Sequence, residues 1–279
     1  MRIIFTQNIG EEVRDLFLTT AFVLPPKVKS DLSEALKTEP SPLGRSILER
    51  LLINSDLSAK NFLPLCQDTG LAQVRLEIGQ EVVLAGPPLG EAVEEGVKAA
   101  YNFAYLRKSS CWPLSRLNLG DNTPVSLETV ITPGDKMVIR ALAKGGGCDN
   151  RGFFASLSPT AGREAIIKTV VEAIAQAGPD ACPPYYAGVA VGGSFESTPR
   201  LSRLALMEIL DETESTEAEK LLAEEIFEAV NASGVGPMGL GGRTTLLGLR
   251  IKIYPTHLAS LPLAINLCCH SFRCGRVEL

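Results

Sequence analysis

A mixed α+β fold is predicted for this 279-residue chain. Stretches with apolar residues at helical spacing interleave with short β-like runs, and the two kinds of segment do not follow the regular βαβ rhythm of a doubly wound sheet. A content of 45% hydrophobic and 21% charged residues is enough to bury a full core. No internal repeat or low-complexity tract is present. The length suits one domain, residues 1–279, with room for two subdomains.

The first sixty residues read as helical. After the break Glu39-Pro40-Ser41-Pro42, the residues Leu43, Ile47, Leu48, Leu51 and Leu52 fall on one helical face. Asn61 to Gly70 is a loop bounded by Pro and Gly. Val74–Ile78 and Glu81–Leu84 have β character around Gly79-Gln80, which predicts a hairpin. Leu89–Leu106 returns to helical spacing and gives way to a polar loop ending at Pro124. Two strands, Ser126–Ile131 and Lys136–Ala143, are joined by the turn signal Pro133-Gly134-Asp135. Arg163–Ala177 is a helix stopped by Gly178-Pro179, and Tyr186–Val191 is an apolar strand running into Gly192-Gly193. Thr216-Glu217-Ala218-Glu219 has the capping-box pattern, Leu222, Ile226, Ala229 and Val230 form the stripe, and Gly234 closes that helix. Leu247, Leu249, Ile251 and Ile253 then alternate with Gly248, Arg250, Lys252 and Tyr254, the period of a half-buried strand. Ile253 to Cys269 reads as buried strand and loop. The expected architecture is a helical N-terminal part packed with a mixed β-sheet region.

Charge and termini narrow the function classes. With 27 Lys+Arg against 32 Asp+Glu and a net charge of -5, no polyanion-binding surface is indicated, so nucleic acid is not an expected partner. Met1 to Gly10 lacks the apolar run of a secretory signal, and Glu11, Glu12 and Arg14 follow at once; the expected location is the cytoplasm. Ile253–Cys269 is too short for a membrane span and contains Pro255, His257 and Pro262. Seven cysteines, an odd number, in a chain that needs no disulfides to hold a core point to metal binding, catalysis or packing.

Chemistry is expected in five loops: Pro64 to Gly70, Asn118 to Pro124, Lys144 to Asn150, Ala181 to Pro184, and Cys268-Cys269-His270. Lys144 precedes Gly145-Gly146-Gly147, whereas a P-loop lysine follows the last glycine. Gly234-Val235-Gly236-Pro237-Met238-Gly239 fits Gly-x-Gly-x-x-Gly but follows a helix, and Pro237 removes an N–H donor. There is no C-x-x-C, and His257 and His270 are the only imidazoles, which argues against zinc. Neither histidine has a flanking motif that marks a Ser- or Cys-dependent catalytic base.

The motifs Cys66-Gln67-Asp68-Thr69-Gly70, Gly120-Asp121-Asn122-Thr123-Pro124, Lys144-Gly145-Gly146-Gly147, Cys182-Pro183-Pro184, Gly234-Val235-Gly236-Pro237-Met238-Gly239-Leu240-Gly241-Gly242 and His257-Leu258-Ala259-Ser260-Leu261-Pro262 occur in this order. In this the chain resembles the α subunits of the oxygen-sensitive iron–sulfur hydro-lyases, class I fumarate hydratase and L(+)-tartrate dehydratase, over nearly its whole length. The resemblance implies a fold like the N-terminal domain of class I fumarases and a 4Fe-4S cluster on three cysteines, matched here by Cys66, Cys182 and Cys269. One iron would then lack a protein ligand and serve as a Lewis acid, not as an electron carrier. The implied substrate is a small dicarboxylate, with fumarate and (S)-malate first and tartrate to oxaloacetate as the alternative. A non-catalytic cluster-binding scaffold is a more distant one. The resemblance further implies substrate contacts at Gln67, Asp68 and Arg107, close backbone approach at one of Gly145 to Gly147, taken as Gly146, and catalytic positions at Asp68 and His257.

Cys268 beside Cys269 leaves the third ligand ambiguous by one residue, and the order Asn266-x-x-Cys-His favours Cys269. Where the family often has Gly-Gly-Gly-Ser, this chain has Cys148, read with Cys111 and Cys274 as packing and not as a fourth ligand. The chain ends at Leu279, just past the third ligand. The resemblance therefore implies a heteromer in which a β subunit supplies the remaining substrate and proton-transfer groups, and no membrane is expected among its partners.

Overall fold

The computed structural model describes residues 2–211 and 214–279. In chain order the elements are β1 (Arg2–Phe5), α1 (Thr6–Phe22), α2 (Pro26–Thr38), α3 (Pro42–Asn61), β2 (Leu71–Gly79), β3 (Val82–Ala85), α4 (Leu89–Phe103), β4 (Ser126–Thr132), β5 (Met137–Lys144), α5 (Gly146–Asp149), β6 (Phe153–Leu157), α6 (Gly162–Ala177), β7 (Tyr185–Gly192), α7 (Ser197–Met207), α8 (Glu217–Asn231), β8 (Leu246–Tyr254), β9 (Leu261–Cys269) and β10 (Cys274–Glu278), with three short 3₁₀ turns. The mixed α+β class is as predicted. Two compact units are present: unit 1 is Met1–Pro25, Ser55–Gly146 and Arg273–Leu279, and unit 2 is Pro26–Asn54 and Gly147–Phe272.

Unit 1 is built on the sheet β10-β5-β2-β4, with β2 parallel to β4 and antiparallel to β5. Along β2 the residues Ala72, Val74, Leu76 and Ile78 are buried at every second position, while Arg75 and Glu77 point the other way and pair with Glu128 and Arg140. The core is completed by α1 and α4, whose buried faces carry Ile9, Val13 and Phe17 and Val93, Val97, Ala100 and Tyr101. These helices touch at their backbones, since a Cβ on Gly10 would lie 2.5 Å from the Ala92 carbonyl oxygen and one on Gly96 2.2 Å from that of Gly10.

The predicted hairpin at Gly79-Gln80 does not form. Both strands exist, but β3 pairs in parallel with β1, a strand missed within the stretch read as helical. The N–H groups of Gly79, Gln80 and Glu81 instead bond to Lys136, Thr132 and Gly134 in the β4–β5 connection. Strand β2 also lies between β4 and β5, so their turn joins strands that are not neighbours.

Unit 2 is built on the sheet β6-β9-β7-β8, with β7 and β8 parallel and β9 antiparallel to both β6 and β7. Strand β7 is buried at all eight positions, which explains its continuous apolar sequence. Helices α6 and α8 bury Ile166, Val170 and Ile174 and Leu222, Ile226 and Val230. The predicted capping box is formed, with Thr216 Oγ1 accepting the Glu219 N–H and Glu219 Oε2 accepting the Thr216 N–H. Of the four alternating residues on β8 only Ile251 is buried, and Ile253 is exposed. Helix α7 and strands β6 and β10 carry too short a pattern to be read in advance.

Candidate functional site

Four of the predicted site segments converge in unit 1 around the loop Cys66–Gly70. Gly70 has a φ of 81°, and a Cβ there would lie 2.8 Å from the backbone of Ala143 and Lys144, so the turn requires glycine. Its N–H donates to Asp68 Oδ1 at 3.0 Å, and Asp68 Oδ2 accepts the Gly146 N–H at 2.7 Å. Asp68 thus ties the Cys66 loop to the triple-glycine loop. Thr69 Oγ1 donates to the Arg107 carbonyl at 2.6 Å, which anchors the Arg107 backbone to the same loop.

Three residues hold this arrangement, and of these only Asn122 lies in a motif that the sequence singles out. Asn122 is fully buried; its Nδ2 donates to the Gly70 carbonyl at 3.1 Å, and its Oδ1 accepts the Ser109 N–H at 2.8 Å. The Gly-Asp-Asn-Thr-Pro motif is therefore a clamp between the Cys66 loop and the Arg107 segment. The Tyr101 hydroxyl lies 2.8 and 2.9 Å from the carbonyls of Thr69 and Gly70, and burial pushes its pKa above the ordinary value, so it remains a donor. Arg273, buried, donates from Nη1 to the Asp68 carbonyl. A buried tyrosine at helical spacing and a strand-start arginine give no local signal of such a role.

The groups turned outward here are Gln67 and Arg107, both exposed, with Asp68 and Cys66 half-buried. The Cys66 thiol donates to Gln67 Oε1 at 3.3 Å. The Arg107 guanidinium makes no hydrogen bond or ion pair among the described residues, which leaves its planar fork available to a carboxylate.

In unit 2, Cys182 caps a 3₁₀ turn in a left-handed conformation (φ 56°) and precedes the cis Pro183-Pro184 bond. Its carbonyl lies 3.2 Å from His270 Nδ1, which makes Nδ1 the protonated ring nitrogen. Cys269 stands opposite Tyr185 in the β7–β9 ladder, so Cys182 and Cys269 belong to the same end of this sheet. The Gly-x-Gly-x-x-Gly segment supports that end: the Met238 N–H donates to the Pro183 carbonyl at 2.8 Å, and a Cβ on Gly239 would meet Pro179 at 2.7 Å. These glycines are used for packing.

His257 lies apart from that end. It is exposed, its Nδ1 accepts the Ala259 N–H at 3.1 Å, and its loop is tied to Gly193 through Thr256 at the start of β9. The nine residues of β9 place it roughly 25 Å from Cys269 at strand rise. Unit 2 does not bring it to Cys182 and Cys269.

The cysteines divide by exposure. Cys66, Cys182, Cys269 and Cys111 are half-buried, whereas Cys148, Cys268 and Cys274 are buried. No group of three His, Cys, Asp or Glu among the described residues forms a single-ion cage. Cys66, on a loop of unit 1, and Cys182 and Cys269, at one end of the unit 2 sheet, are each accessible enough for their thiols to be offered to a cofactor. Strand alternation puts the buried Cys268 on the opposite face from Cys269, in keeping with Cys269 as the reachable one.

No helix among the described residues is long and apolar enough to cross a membrane. The profile of the family Fumarate hydratase (Fumerase) matches residues 10–278. The chain is 35% identical over 272 residues to the Methanocaldococcus jannaschii protein named "Putative L(+)-tartrate dehydratase subunit alpha", covering 95% of each chain. It is 28% identical over 260 residues to the L(+)-tartrate dehydratase subunit alpha of Escherichia coli strain UTI89, covering 92% of this chain and 86% of the relative. With six ordered motifs, the loops they build and a family match that spans almost every residue, the chain belongs to the fumarate hydratase (Fumerase) family and is a hydro-lyase.

Proposed function

We propose that this chain is the α subunit of an iron–sulfur hydro-lyase that reversibly hydrates fumarate to (S)-malate, with a β-type chain completing the site. The observation that carries the reading is the convergence of Cys66-Gln67-Asp68, Arg107 and Gly146 on one patch of unit 1. Cys66, Cys182 and Cys269 would hold a 4Fe-4S cluster, which when bound supplies an open, Lewis-acidic iron.

Around it, each residue of the chain has a definable task. The free Arg107 fork takes one substrate carboxylate in a bidentate pair. Gly146 has given its own N–H to Asp68, so what it offers is clearance for a substrate to approach the backbone. Asp68 uses one lone pair of each oxygen on backbone N–H groups and retains acceptor capacity for a substrate hydroxyl, with Gln67 beside it as a neutral donor and acceptor. The proton acceptor for the carbon next to the carboxylate is assigned to the β-type chain. His257, distant from Cys269, is given no step within one chain.

Replacing Arg107 with methionine is expected to raise KM for the dicarboxylate by about 10- to 100-fold, the worth of a charge-assisted pair. Iron content should not change; an unaltered KM would remove Arg107 from the site.

The names of the relatives favour a second reading, dehydration of L(+)-tartrate to oxaloacetate. An anaerobic assay of the iron-loaded chain, with and without its β-type partner, against malate, fumarate and tartrate tests both. The chain alone should be inactive. A site built for tartrate hydrogen-bonds the second hydroxyl and should reject malate by about 10⁴-fold in kcat/KM, whereas a site built for malate rejects the added hydroxyl by only about 10²-fold. Full activity of the isolated chain would overturn the two-chain reading.

A further inference from the structure

The segment that carries Arg107 continues into a finger whose side chains the hydro-lyase site does not use. Over residues 110–119 of unit 1 the chain turns back on itself. Cys111 and Asn118 form an antiparallel bridge, the Trp112 N–H donates to the Leu117 carbonyl at 2.9 Å, the Arg116 N–H to the Trp112 carbonyl at 2.9 Å and the Leu119 N–H to the Ser110 carbonyl at 3.0 Å. At the base, Asn118 Nδ2 donates to the Lys108 carbonyl at 2.7 Å, and the Ser109 N–H donates to Asn122 Oδ1. The finger is therefore closed by its own hydrogen bonds and fastened directly beside Arg107. Arg116 near its tip and Tyr105 before its base have φ of 59° and 53°, a left-handed conformation that large side chains hold only where the surrounding structure imposes it.

Every residue from 112 to 118 is exposed. Trp112 is 58%, Leu117 66% and Leu114 97% exposed, with Tyr105 at 91% two positions before Arg107. A single exposed apolar residue is ordinary on a protein surface, but here they gather on one ordered projection. Trp, Tyr and Arg are also the residue types enriched at the energetic centres of protein interfaces. The charge on the segment has one sign: Lys108 and Arg116 join Arg107, no Asp or Glu occurs between Glu95 and Asp121, and neither Lys108 nor Arg116 makes an ion pair among the described residues.

We propose that residues 110–119 are the docking arm for the β-type chain, and that the arm fits an apolar pocket of that chain rimmed by carboxylates. The proposal rests on the two-chain reading and names the surface through which the second chain is held. Reach identifies the occupant. A small dicarboxylate gripped by Arg107 extends only a few Å from it, and a proton acceptor must come within hydrogen-bonding distance of the substrate. A chain that supplies this acceptor must therefore press against the rim around Arg107, and the arm is fastened to that rim through Lys108. A second copy of this chain suits the arm less well. A two-fold contact sets one patch against itself, which brings Lys108 and Arg116 against their own counterparts, where like charges repel.

The test mixes the full chain, kept anaerobic, with the separately produced β-type chain of the same organism and measures Kd and association rate by biolayer interferometry. The double variant Trp112→Ala with Leu117→Ala should bind about 30-fold more weakly, the effect of truncating an interface anchor. Arg116→Glu should associate about tenfold more slowly, with the deficit shrinking as salt is raised. Leu221→Ala, an exposed leucine on α8 of unit 2, should bind like the parent. Circular dichroism confirms that each variant is folded. Parent-like binding by both arm variants, or an equal loss in Leu221→Ala, would overturn the docking arm and leave the two-chain reading standing. Absence of any complex with the parent chain would overturn both. Sedimentation of the chain alone covers the remaining occupant: a dimer that the double variant dissolves would assign the arm to a second copy and overturn the proposal.

Discussion

Serine at Cys66, Cys182 or Cys269 is expected to abolish iron–sulfur loading, while serine at Cys111 or Cys274 leaves the iron content at the parent level. A cluster held by three thiolates has no spare protein ligand, so each loss leaves a second iron open and the cluster falls apart. Cys274 is buried opposite Leu142 in the β10–β5 ladder, and Cys111, though half-buried, lies outside the six motifs, so neither is expected to ligate a cofactor. Iron per chain and visible absorption after anaerobic reconstitution read the effect, and circular dichroism shows that each variant is folded. Serine at Cys268, beside the third ligand but buried, should retain iron. Equal loss across all five positions, or loss at Cys268 in place of Cys269, would overturn the assignment.

Glu39→Gln is expected to destabilise unit 2 by about 3 kcal/mol, because it leaves buried backbone donors poorly paired. Glu39 is 1% exposed, yet it carries a carboxylate that accepts the N–H groups of Ser41, Arg243 and Thr244, the last at 2.7 Å. Burial acts to raise its pKa, but these donors together outweigh burial and hold it below the ordinary value of 4.5. A carboxylate depressed on folding contributes stability above its unfolded pKa and loses it as pH falls through the folded value. The difference in unfolding free energy between parent and variant should therefore be largest near neutrality and narrow in acid. Urea unfolding at several pH values measures it; a constant difference across that range would show that the ionised form is not what matters.

In the sequence, Glu39 was visible only as part of a helix break before Pro40. Two of its three partners, Arg243 and Thr244, lie about two hundred residues away, on the loop that follows Gly242. The same limit explains the false hairpin. Gly79-Gln80 between two β-like runs is a local turn signal, and the turn exists, but β2 finds its ladder with β4 and β5 and β3 finds its own with β1. Helices fared better. The stripes of α4, α6 and α8 are set by residues three and four apart, and the capping box of α8 closes within four residues.

The candidate site divides in the same way. Its loops could be read from the chain, because left-handed turns and close backbone approach demand glycine and because a cluster demands thiols, and both demands are written in residue type. The groups that shape those loops were only partly legible, since Asn122 lies in a motif but Tyr101 and Arg273 do not, and all three act through hydrogen bonds to carbonyls across about thirty to two hundred positions. The sequence by itself determined the fold class, the family motifs and the kinds of atoms available for chemistry. Only the tertiary structure decided which strands pair, which thiols are open and which carboxylate joins two loops, because those outcomes depend on long-range burial and hydrogen-bond satisfaction that no local pattern encodes.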